Sequence, residues 1–137
     1  MTMTAMTSYL QKKLLDHALG IAEFTMPTLI YGGLHTASPT DSGSLAAEVS
    51  TSATGYARQS LLTKMSVTDA TTGLSSLNAV VNFGPATADW GTVTYFSISD
   101  ALTGGNMLFW GVLTTSQTTP IGEQFQLVAG QLQITLD

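Results

Sequence analysis

The chain has 137 residues, of which 44% are hydrophobic and only 9% charged; its net charge is −5, and it contains no cysteine. That length suits one domain and is short for two, and the missing cysteines exclude disulfides, thiolate metal sites and cysteine nucleophiles. All four basic residues, Lys12, Lys13, Arg58 and Lys64, precede residue 65, so there is no basic stripe and no nucleic-acid partner is expected.

Charge is far below the roughly 25% of ordinary domains, and Ser and Thr, about a quarter of the chain, take its place. Monomers usually stay soluble through surface charge. The composition therefore points to a subunit whose surface is covered by partners. No apolar run reaches the ~18 residues that would suggest a membrane span. The start of the chain lacks the basic and apolar regions of a secretory signal.

Taken in order, residues 1–7 read as a flexible arm. Ser8 and Gln11 form a weak capping box, and Leu10, Leu14, Ala18 and Ile21 recur at helical spacing, predicting a helix over 9–22. Pro27 disfavours helix in the residue before it, which places the stop near Glu23. Residues 1–27 are thus an arm and helix, packed on one side of the body or docked on a neighbouring subunit. Residues 28–137 form a β domain.

Short apolar runs separated by Gly, Pro and Asn predict strands at 28–35, 56–64, 79–83, 93–98, 107–113, 125–128 and 132–136. The fold class is mainly β: an antiparallel, jelly-roll-like β-sandwich with an N-terminal helix. The centre is the hairpin of the runs at 93–98 and 107–113. Its connector carries Gly104 and Gly105 for positive φ, with Asp100 and Asn106 bonding back to the backbone. Both Trp90 and Trp110 lie in this stretch and are expected in the core. Loops at 36–55 and 66–78 exceed the usual length.

Chemistry is sparse. His17 and His35 are expected to be solvated or partly packed, and with no Gly-x-Ser-x-Gly elbow they support no nucleophilic triad. Asp89, Asp100 and Glu123 are the candidates for a carboxylate pair, but Asp89 and Asp100 occupy turn positions where a short acid bonds backbone. Asp41 and Glu48 match no known calcium loop. No phosphate-binding glycine motif is present, so no cofactor and no metal are expected. Arg58, the sole arginine, is expected in a strand and paired with a carboxylate, either Asp89 or Glu48 within the chain or one across a subunit interface.

The blocks Gly55-Tyr56-Ala57-Arg58-Gln59 and Asp89-Trp90-Gly91-Thr92-Val93 are the most specific. With Leu34-His35-Thr36-Ala37, Pro39-Thr40-Asp41, Gly104-Gly105-Asn106 and the closing Ile134-Thr135-Leu136-Asp137, they resemble a family of small tailed-bacteriophage virion proteins described as tail-fibre-like. The chain is also similar in size and class to jelly-roll cement proteins of phage capsids. The resemblance implies a non-enzymatic structural protein of the virion, assembled in the host cytoplasm and acting in multiple copies. Multi-copy capsid decoration is the first expectation, and a tail or tail-fibre part in host attachment the second. Implied partners are major capsid or tail subunits and further copies of the chain, with a host-surface glycan open and no membrane. The expected subunit contacts are Tyr9, Leu10 and Leu14 on the helix, Pro39, Asp41 and Glu48 in the long loop, and Arg58. A carbohydrate module stacking a sugar on Trp90, Trp110 or Tyr95 is a further reading, which buried tryptophans would exclude.

Overall fold

The computed structural model describes residues 1–136. In chain order it contains β1 (Thr2–Met3), β2 (Ala5–Met6), α1 (Ser8–Ala18), β3 (Tyr31–His35), β4 (Gln59–Ser60), β5 (Leu74–Ser76), β6 (Val81–Phe83), β7 (Thr92–Ser99), β8 (Met107–Thr118), β9 (Phe125–Leu127) and β10 (Gln133–Thr135).

β7 and β8 form the expected antiparallel hairpin, with Phe96 opposite Gly111 and Ile98 opposite Phe109. β-Branched and aromatic residues favour this half-buried pleated surface. Around it the main sheet runs β2-β8-β7-β3-β4. A three-stranded sheet, β1-β10-β5, and the pair β6-β9 supply the other layer. Between them lie Leu34, Phe83, Val93, Phe96, Phe125 and Leu132, giving the core of a β-sandwich. Phe83 anchors it, meeting Phe96 and Phe125 edge-on with ring centroids 6.2 and 5.8 Å away. Gly32 lies under the Phe96 ring, where an added Cβ would stand 2.5 Å from Cζ.

The start of the chain differs from expectation. Residues 1–7 are not a flexible arm: β1 pairs in parallel with β10, β2 pairs with β8, and Met3 is fully buried in the core. The stretch has no periodicity long enough to announce a strand, yet it is stitched to both layers of the β body. The N-cap of α1 is Thr7 rather than Ser8; the Thr7 hydroxyl accepts from Leu10 N–H and donates to the Met107 carbonyl. The helix stops at Ala18, well before Pro27. Gly20, at φ +74°, ends it: Gly20 N–H donates to His17 O and Ile21 N–H to Asp16 O, the paired bonds of a glycine-terminated helix.

Of the strand predicted at 56–64 only Gln59–Ser60 pairs, because the chain turns at once, with Thr63 at positive φ and Lys64 N–H bonded to Leu61 O. β8 is longer than predicted. Past a bulge at 113–116 its polar end rejoins β7 at Gln117 and Thr118. β5 occupies part of the second long loop.

Since Met3 is a core residue contributed by the first strand, Met3→Ala is expected to cost about 2–5 kcal/mol in urea unfolding. A loss under 1 kcal/mol would mean that β1 is not part of the folded body.

Candidate functional site

The densest chemistry lies where the 36–55 loop folds back on β3. Val49 N–H donates to Leu34 O and Thr36 N–H to Ala47 O, bringing Glu48 opposite His35. Arg58 reaches Glu48 through a two-pronged pair, Nε to Oε1 at 2.7 Å and Nη2 to Oε2 at 2.8 Å. Its remaining nitrogen, Nη1, donates to the carbonyls of Ala101 and Gly104 at 2.7 and 2.9 Å. One guanidinium therefore ties the long loop to the β7–β8 connector. Tyr56 completes the arrangement: its hydroxyl donates to Glu48 Oε1 and accepts from Leu34 N–H, both at 2.9 Å. This resolves the intrachain choice for Arg58 in favour of Glu48. Arg58 itself precedes β4 instead of lying within a strand.

Burial opposes ionisation of Glu48, but hydrogen bonds and charge from Arg58, with help from Tyr56, outweigh it and hold the carboxyl below its ordinary range. Burial also opposes the Arg58 cation, and Glu48 more than compensates. Burial lifts the Tyr56 hydroxyl well above its usual value. His35 is fully buried, not solvated or partly packed, with Nε2 2.7 Å from Ser97 Oγ. Burial, opposed by the Glu48 charge and reinforced by Arg58, lowers its pKa to about 4. The His35–Ser97 contact has the spacing of a base and a nucleophile, but both side chains are sealed from solvent and no substrate can reach them.

Of the acidic candidates, Asp89 and Glu123 both lie where the 120–123 turn meets the 86–89 segment, with Ala86 N–H donating to Glu123 O, while Asp100 lies apart from them. Asp89 and Asp100 flank the eight residues of β7, roughly 26 Å apart at strand spacing, far beyond a glycosidase pair. Asp89 accepts from Ile121 N–H and Asp100 from Asn106 N–H, both loop-shaping bonds. The oxygens of Glu48 are taken by Arg58 and Tyr56, and Asp41 Oδ1 accepts from the Trp110 indole at 3.1 Å. Among the described residues no group of His, Asp and Glu could hold a metal ion, and no helix is long and apolar enough to cross a membrane.

The expected contact residues divide. Leu10, Pro39 and Arg58 are buried inside the chain, Tyr9, Leu14 and Glu48 are half-buried, and Asp41 is exposed. Apolar surface instead collects just beyond them, on Leu15, Leu19, Ile21, Met26 and Leu29, each at least 46% exposed. Ile21, expected on the apolar face of the helix, lies past its end at Ala18 and is exposed, and Leu15 on α1 and Leu19 at its C-cap are exposed as well. The tryptophans also divide. Trp90 is buried and donates to Thr54 O, whereas Trp110 is half-buried on the outer face of the main sheet beside Tyr95. The expectation that both lie in the core fails for Trp110, because strand alternation puts it with Val112 on the side away from Phe109 and Leu113.

A family model described as podophage GP4 fiber I protein gp80 matches residues 5–135. The chain belongs to this family. No curated protein matches it. Membership in the fibre I family makes it a structural protein of a tailed-phage virion, associated with other virion components.

In this member of the fibre I family the buried clamp sets the acid response. The unfolded chain protonates His35 below about pH 6.5 and the native chain only near 4, so protonation favours unfolding across that interval. Stability is expected to hold above pH 6.5 and to fall by about 3 kcal/mol towards pH 4. Glu48, whose carboxyl is depressed by folding, extends the loss below 4.5. His35→Gln should flatten the upper interval in urea titrations, and an unchanged slope would contradict this assignment. Glu48→Ala, which strands the Arg58 charge, is expected to cost about 3–5 kcal/mol at pH 7, with part recovered in Glu48→Leu/Arg58→Met.

Proposed function

We propose that the chain is a non-enzymatic fibre-type subunit of the virion, present in several copies and seated on its neighbours through the apolar strip from Leu15 to Leu29. The observation that carries this reading is the family match over nearly the whole chain to a fibre protein. The strip supplies the means: five large apolar side chains are exposed within fifteen residues of chain, apolar surface that a partner could cover. Tyr9 and Leu14, half-buried on the helix that precedes the strip, would extend such a contact. Burial of roughly 800 Å² per partner would make it stable, and repetition in a symmetric particle would multiply it. The partners are further copies of the chain and the tail or capsid proteins that carry the fibre.

Decoration of the capsid lattice is the second reading, favoured by the 9% charge content, which suits a densely covered subunit. Location and copy number separate the two. Cryo-electron microscopy of virions carrying a tagged chain is expected to place the tag on fibres in far fewer copies than the major capsid subunit. Copies matching the capsid lattice would establish decoration instead. In either setting the paired change Leu19→Lys and Ile21→Lys should abolish incorporation into particles while leaving the unfolding free energy in urea within about 0.5 kcal/mol, since both positions are surface sites. Normal incorporation would remove the strip from the contact.

A further inference from the structure

The outer face of the main sheet carries a second feature, remote in sequence from the strip. Trp110 on β8 and Tyr95 on β7 sit with ring centroids 6.0 Å apart and planes tilted by 42°. Val112, directly across from Tyr95, is 60% exposed beside them. With Thr2 and Thr4 they line a groove of about 250 Å³. The backbone under both rings is fixed, with Trp110 paired to Ser97 on one side and to Ala5 on the other. The indole is fixed too, donating to Asp41 Oδ1 at 3.1 Å. Asp41 does not itself line the groove; it is exposed beside Trp110, and its Oδ2 accepts no hydrogen bond among the described residues.

The geometry points to this ledge as a binding site for neutral hexose oligosaccharides. The C–H groups on one face of a pyranose carry slight positive charge and pack on the negative face of an aromatic ring, while its rim of hydroxyls needs acceptors and donors. The ledge offers both, with rings for the face and Asp41, Thr2 and Thr4 for the rim. No cationic side chain lines the groove, which disfavours phosphate and acidic sugars. Its volume is below the usual ~300–1,000 Å³ range of drug-sized pockets, which suits one or two sugar units of a longer chain. Affinity per subunit is therefore weak, and an array of copies supplies avidity. The inference rests on the fibre reading only for its setting, a fibre surface that meets a host glycan.

The test uses the purified full chain with maltohexaose, cellohexaose, chitohexaose and a neutral galactan oligosaccharide, followed by nitrogen–proton correlation spectra of the two indoles. Trp90, buried and bonded to Thr54 O, is the internal control. At least one probe should shift the Trp110 indole saturably without moving that of Trp90. Tyr95→Ala should weaken binding about tenfold. Val112→Glu, at an exposed position, should block the groove while the Trp90 resonance reports an intact fold. The proposal is overturned if no probe moves Trp110, if Val112→Glu leaves the shift intact, or if the resonance depends on protein concentration without sugar, which would make the ledge a contact between copies. Position on the virion is read by microscopy and sugar binding on the isolated chain, so either result can fail alone.

Discussion

Arg58 is the point on which the outer half of the molecule depends. In a chain with four cations, the guanidinium is committed entirely to the interior, with two donors to Glu48 and one nitrogen shared between two carbonyls of the β7–β8 connector. A buried ion pair is weak support for stability by itself, because desolvation offsets most of the attraction. Its value here is positional. A planar fork with fixed donors cannot be replaced by a point charge without losing the simultaneous hold on two loops. The 36–55 loop has little apolar surface of its own; backbone bonds from Val49 to Leu34 and from Thr36 to Ala47, the buried Val49 and Pro39, and the Glu48 bond keep it on the sheet. Asp41 sits in that loop, where its carbonyl accepts from Ser8 N–H at the start of α1 and its side chain holds Trp110.

Much of the body was legible in the sequence. The hairpin of β7 and β8 is written in β-branched and aromatic runs around a Gly-Gly-Asn connector, and the rarity of arginine marks Arg58 for a carboxylate partner, though not which one. The first two strands were not legible, since two-residue strands carry no periodicity and are held by partners more than 100 residues away. Gly20 was the overlooked signal for the helix end: a glycine just past the last helical turn outranked a proline seven residues on. The burial of His35 was hidden because the side chain that covers it, on Glu48, arrives from a loop whose path composition does not reveal. Strand alternation could have separated Trp110 from the core, since Phe109 and Leu113 claim the inner face.

The surface explains how so uncharged a chain can serve in a particle. It carries an apolar strip after α1 on one part and an aromatic ledge on the outer sheet face, with the buried clamp fixing the loops near both. Family membership supplies the virion, and the physical chemistry of these surfaces supplies what each can do there. In the interior, Arg58 and Glu48 are committed to each other and to the loop carbonyls, while His35 is joined to Ser97 through Nε2 and keeps a buried Nδ1 without a partner among the described residues.

The most direct test of this account is amide hydrogen exchange on the chain and on Arg58→Lys, which keeps the charge but removes the fork. If one guanidinium couples the two loops, residues 36–55 and 100–106 should lose protection together and by similar factors, while β7 and β8 keep theirs. Loss in one loop with the other unchanged, or no loss in either, would contradict it.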